Sequence, residues 1–143
     1  MKEKLISSRG EKTYALIFES GDEATSGLLD FAKRQGLAGS HFTAIGAFSH
    51  VILGYFDLAI REFKKIPIGE QVEVLSLVGD IALKDGEPIV HAHVVVGKSD
   101  GTAWGGHLLE AHVRPTLEIM LVETPTHLLR RYDPETGLAP ISL

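Results

Sequence analysis

From Ser40 to Val122 the chain is a succession of short apolar runs, rich in β-branched and aromatic residues, each soon cut off by Gly, Asp, Pro or Lys. That spacing leaves no room for long helices and favours strands joined by short turns. Phe42–Phe48 and Val51–Phe56 read as two strands, and Glu62–Ile66 as a third that ends at Pro67, a residue unable to donate to a ladder. Val72–Leu83 follows, closed by turn chemistry at Lys84-Asp85-Gly86, and Ile89–Val96, Thr102–Leu109 and Leu117–Val122 complete the strands.

Ahead of this region, Tyr14–Phe18 reads as one more buried strand. Asp22 suits a helix N-cap, Glu23 favours the positive end of the helix, and Ala24, Leu28, Phe31 and Ala32 recur at helical spacing until Gly36. The spacing predicts a helix over 23–35. The tail from His127 to Leu143, with Asp133-Pro134 and Gly137, is expected to be irregular and to lie along the body. These elements predict an α+β fold: a mainly antiparallel sheet with one main helix after the first strand, in a single domain over 1–143.

With 143 residues, 44% of them hydrophobic and 23% charged, the chain has the composition of one compact domain with a real core. No apolar run approaches the roughly 18 residues that cross a bilayer, and Met1-Lys2-Glu3-Lys4 leads into no signal-peptide core, so a soluble cytoplasmic protein without a membrane partner is expected. There is no cysteine, which excludes disulfides, thiolate zinc sites and thiol nucleophiles. Any metal must therefore rest on imidazole and carboxylate, and the seven histidines carry that burden. Lys plus Arg number 14 against 19 Asp plus Glu, a net charge of −5 and the wrong sign for a domain that grips nucleic acid through phosphates.

The informative stretch runs from Ile89 to His107. In a strand, residues two apart share a face, so His91 and His93 project together while Val90, Ala92 and Val94 face the other way. Gly97 and Gly101 flank Lys98-Ser99-Asp100, and a hairpin centred on Ser99 sets His107 opposite His91 and the side-chain-free Gly105 opposite His93. Three imidazoles on one face suit zinc or another divalent transition metal, with a position left for water, a small-molecule ligand or a carboxylate. The competing account makes His91 and His93 ordinary strand-face residues, and a bulge at Gly105-Gly106 would turn His107 away.

Glu110, His112 and Glu73 are nominees for a supporting contact or an acid or base at that site; the plainer reading puts Glu110 and His112 on an exposed loop before Pro115 and Glu73 at a solvent-facing strand position. His41, His50 and His127 have no partner identifiable in the sequence. Ser20-Gly21-Asp22 lacks any phosphate-loop pattern and reads as a turn, and Gly54-Tyr55-Phe56-Asp57 reads as core and edge packing. No nucleophile elbow is present.

Leu53-Gly-Tyr-Phe-Asp57, Val72-Glu-Val-Leu-Ser-Leu-Val-Gly79, His91-Ala-His93, Gly105-Gly-His-Leu108 and Arg131-Tyr-Asp-Pro-Glu-Thr-Gly-Leu138 together resemble the plant and prokaryote conserved (PPC) domain family, over nearly the whole chain. The resemblance implies an α+β fold, a homotrimer, and a zinc-like ion on His91, His93 and His107, which match the HxH and GGH positions of bacterial members. Plant relatives join the domain to AT-hooks, basic segments that enter the minor groove. Arg9-Gly10 is isolated and Arg130-Arg131 is a lone pair here, so DNA binding by the chain alone is disfavoured, whereas contacts with a protein partner carry over. Three functions follow as expectations: a trimeric regulatory or ligand-binding module around the metal; a metal-dependent enzyme using a metal-bound water; and a DNA-binding protein.

Overall fold

The computed structural model describes every residue except Arg9 and Pro125. The elements in order are β1 (Lys2–Ser7), β2 (Thr13–Glu19), α1 (Ala24–Gln35), β3 (Gly39–Asp57), β4 (Glu62–Ile68), β5 (Val72–Lys84), β6 (Glu87–Gly97), β7 (Ala103–Glu123), β8 (Leu129–Arg130) and β9 (Ile141–Ser142). The expected α+β class holds: a mostly antiparallel sheet with a single helix, which directly follows the strand read around Tyr14–Phe18. No helix of the described residues is long and apolar enough to cross a membrane.

Two pairs of expected strands are each one long strand. Phe42–Phe48 and Val51–Phe56 fuse into β3, and Thr102–Leu109 and Leu117–Val122 into β7, which runs unbroken through Pro115. Register shifts in the β3–β7 ladder at Gly46/Phe48, Phe48/His50 and Ile52/Leu53 let both strands bend without ending. β4 likewise passes through Pro67 instead of stopping there: it pairs only with β3, and an edge strand tolerates a missing donor. β1 was not expected, because Lys2, Glu3 and Lys4 mask the pattern; it too is an edge strand, where charged residues discourage further pairing.

Pairings β3–β5, β5–β6, β6–β7 and β7–β3 form a closed circuit, so the sheet wraps round on itself. The core lies inside, with Phe42, Phe48, Leu53, Leu77, Val94, Val96 and Leu117 all buried. α1 covers one side with Leu28, Phe31 and Ala32, and its Gly27 lies so close to Phe18 that an added Cβ would sit 2.4 Å from the ring. Glu23, not Asp22, is the N-cap: its carboxylate accepts from the N–H groups of Thr25 and Ser26, while Asp22 pairs with the chain's N-terminal ammonium at 2.7 Å. At the other end Gly36 takes the left-handed conformation and closes the helix as its position predicted.

Candidate metal centre

Two hairpins place the histidines. Asp85 and Gly86 form the tight turn between β5 and β6, which sets Asp80 opposite His91. Between β6 and β7 the chain turns over Ser99, Asp100 and Gly101, with Gly101 N–H donating to the Lys98 carbonyl at 3.0 Å and Gly101 at φ +84°. The loop therefore closes one residue later than a turn centred on Ser99, because glycine is the residue that accepts the positive φ of a three-residue loop.

The consequence is a corrected register. His107 faces His93, not His91, and Gly105 faces Val95, not His93. Since the partner of His107 moves by an even number of residues, its side chain keeps the face it was assigned. The three rings gather as expected: centroids are 5.1 Å apart for His91 and His93, 4.9 Å for His91 and His107, and 5.2 Å for His93 and His107. One ligand nitrogen from each lies within 4.8 Å of the others. The glycine that matters for crowding is Gly106, where an added Cβ would lie 2.8 Å from the Gly54 carbonyl oxygen and push β7 off β3 beside His107.

The donor set fits a transition metal. His107 Nδ1 and His93 Nε2 stand 3.3 Å apart, and two zinc–nitrogen bonds of about 2.0–2.1 Å at the tetrahedral angle put their nitrogens about 3.4 Å apart. Burial, and after it the neighbouring His91, His93 and Arg130, push the His107 imidazole down to about 4; burial and then His91 lower His93. Both rings are thus held neutral, the form that ligates.

Two residues not anticipated from the sequence complete the site. Asp80 lies 3.4 Å from His91 Nδ1, the arrangement in which a carboxylate orients an imidazole and leaves Nε2 for an ion. The Arg130 guanidinium donates to the same carboxylate and to the Ala139 carbonyl. Burial works to raise the Asp80 pKa, but its bonds to His91 and Arg130 outweigh this and hold the carboxyl below its ordinary range. The Asp85-Gly86 turn was the available signal for Asp80, since counting back from it gives the pairing with His91.

The tail lies over the His91 and His107 side of the site, and His93 stays exposed. β8 pairs with β5 and β9 with β8, so Leu138, Ala139 and Pro140 stand against Phe63, Ile89, Val90, His91 and His107 around a cavity of about 350 Å³. Lys84 also lines this cavity and has no ion-pair partner among the described residues. Of the three nominees for support, none bonds to the triad. Glu73 faces Gly97 at the far end of β5 from Asp80, while Glu110 and His112 bond to each other at 2.9 Å and gather with His50.

The family model of the Plants and Prokaryotes Conserved (PCC) domain matches residues 6–125, a span that holds the helix, the long strands and all three triad histidines. The chain belongs to this family. A Pyrococcus horikoshii plant- and prokaryote-conserved protein is 33% identical, with 96% of this chain and 98% of that one superposed at a TM-score of 0.86. The metal-containing protein AF0104 from Archaeoglobus fulgidus is 31% identical, covering 98% of this PCC chain and 99% of its own at a TM-score of 0.86. A Ralstonia eutropha JMP134 protein to which DNA binding is ascribed is 28% identical, with 98% and 96% covered at a TM-score of 0.88. Among curated proteins, the bifunctional protein GlmU of Synechococcus sp. (strain JA-2-3B'a(2-13)) is 33% identical over 129 residues, 88% of this chain. The PCC chain spans about a fifth of that relative's length, 19%.

Proposed function

We propose that this PCC protein is a homotrimeric regulatory or ligand-binding module in which His91, His93 and His107 hold a zinc-like divalent ion facing the cavity beneath the C-terminal tail. One observation carries the reading: three imidazoles converge on one face at ligand spacing, His107 pressed toward neutrality and His91 oriented by Asp80. The metal-containing description of the Archaeoglobus relative supports it. For the trimer, the support is an exposed apolar patch of Ile45, Leu75, Val78 and Met120 on the outer face of the sheet, a surface that another copy of the chain would cover.

A second reading, a metal-dependent enzyme, is favoured by the cavity itself. A bound divalent ion would supply Lewis acidity at its mouth. His91 and His107 line it, Phe63 packs its ring 4.8 Å from that of His107 and keeps water from that side, and Lys84 offers an uncommitted ammonium to an anionic ligand. DNA binding has the weakest support, because 14 basic residues stand against 19 acidic ones.

Elemental analysis of the untagged protein beside the His91→Ala/His107→Ala variant, with mass measured on the same samples, tests the proposal. The expected result is a trimer whose variant contains about one transition-metal ion per chain fewer. Equal metal content in both, or a monomer, overturns the corresponding half of the reading, and turnover of a hydrolysable substrate lost in the variant would establish the enzyme instead.

A further inference from the structure

Imidazoles meet in a second place. His50 on β3 and His112 on β7 are direct cross-strand partners, and their rings stack at 4.2 Å with an interplanar angle of 17°. Glu110 stands two residues before His112, hence on the same face, with its carboxylate oxygen 2.9 Å from His112 Nε2. Register shifts flank the pair on both sides, a place where bulges re-aim side chains.

Ser49 braces the pair: its hydroxyl lies 3.0 Å from His50 Nδ1 and 3.3 Å from the His112 carbonyl oxygen, so it bonds to His50 through Nδ1 and leaves Nε2 of that ring free of it. The strand between the other two donors is also anchored, because the buried Ala111 donates its N–H to the Glu23 carboxylate at 3.0 Å.

We propose that His50, Glu110 and His112 form a second divalent transition-metal site, a two-imidazole, one-carboxylate set with open positions that takes zinc or a similar borderline ion. The three donor atoms lie within 4.8 Å of one another at the surface, and small side-chain rotations contract them toward the about 3.4 Å that zinc–nitrogen bonds of this length require. A ring stack alone asks for neither a carboxylate aimed at a ring nitrogen nor a hydroxyl braced against Nδ1 of the other ring. An ion here would clamp β3 to β7 where their ladder is least regular.

This site is independent of the triad, and the test separates them. Zinc and cobalt(II) are titrated into the untagged protein, the His91→Ala/His107→Ala variant, the His50→Ala/His112→Ala variant, and the combination of all four substitutions, with circular dichroism confirming each fold. The expected result is two equivalents in the unchanged chain and one in each double variant. In the triad-deleted chain that equivalent binds at least tenfold more weakly than the triad does, Glu110→Gln weakens it a further 10–100-fold, and the fourfold variant takes up none. No stoichiometric uptake by the triad-deleted chain, or uptake that persists in the fourfold variant, overturns the proposal. Should the triad-deleted chain fail to fold, the His50→Ala/His112→Ala variant decides, since an unchanged zinc stoichiometry there overturns it equally.

Discussion

On β6 and β7, His91 and His93 stand two residues apart and meet His107 across the hairpin; on β7 and β3, Glu110 and His112 stand two residues apart and meet His50 across the ladder. The same strand geometry builds both clusters, and their surroundings separate them. The triad lies under a tail, beside Phe63, with a carboxylate behind His91 and a guanidinium behind that carboxylate. The second cluster has stacked rings and a serine for support, and lies at the surface. Partial burial keeps protons off His93 and His107 and Asp80 orients His91, so that set needs no charged ligand, whereas the second cluster supplies its negative charge from the ligand set itself.

The largest expected difference is in proton affinity. In the ion-free protein, NMR titration of His107 is expected to give a midpoint near 4 in place of the ordinary 6.5, more than a hundredfold loss of affinity for the proton. Because the unfolded chain binds this proton and the folded one does not, the ion-free protein loses stability as pH falls from 6.5 toward 4. A midpoint at or above 6.5 would show that His107 is not enclosed.

Next comes the support behind His91. Asp80→Asn keeps the shape but removes the charge that His91 and Arg130 share, and a 10–100-fold weaker triad is expected with uptake by the His50 cluster unchanged. Calorimetric zinc titration of both sites in one sample reads this directly. Gly106→Ala is expected to lower stability by about 1–3 kcal/mol and to weaken the triad as well, since its Cβ meets the Gly54 carbonyl 2.8 Å away with backbone on both sides. Thermal unfolding checks the first effect and the same titration the second.

How far the sequence reached follows the same division. The triad was legible because strand periodicity fixes the face of His91 and His93, and an even register error left His107 on that face. Asp80 is within reach through the Asp85-Gly86 turn, which pairs it with His91, but by type it is only one of the charged and small residues that interrupt Val72–Leu83. His50 was not legible at all: its partner lies far along the chain, on a ladder that no local turn sets and that register shifts interrupt. Glu110 and His112, nominated as support for the triad but read more plainly as an exposed loop before Pro115, lie inside β7, which continues through Pro115, and gather with His50 for the same reason. The tail's two-residue strands give no periodicity, so its place over the cavity came only with the folded chain.

The smallest expected effect joins the helix to the second cluster. Glu23 caps α1 and also accepts the N–H of Ala111, between the two donors on β7, so one carboxylate fixes both the helix start and the strand beneath the proposed ion. Burial works to raise its pKa, but bonds from Ser26, Thr25 and Ala111 prevail and pull it down to about 2 from the ordinary 4.5. A depressed carboxylate stabilises the fold fully above 4.5 and loses that contribution as pH falls through 4.5 toward 2. Glu23→Gln is therefore expected to cost about 1 kcal/mol at neutral pH, the usual worth of a cap. The difference from the unchanged chain should shrink as denaturation is repeated between pH 5 and about 2, where the native carboxyl itself takes up a proton. If the cap also preorganises the cluster, Glu23→Gln weakens zinc uptake by the triad-deleted chain while leaving the triad's affinity in place. An equal loss at both sites would instead mean that the substitution loosens the whole sheet, and the two clusters would not be separable through Glu23.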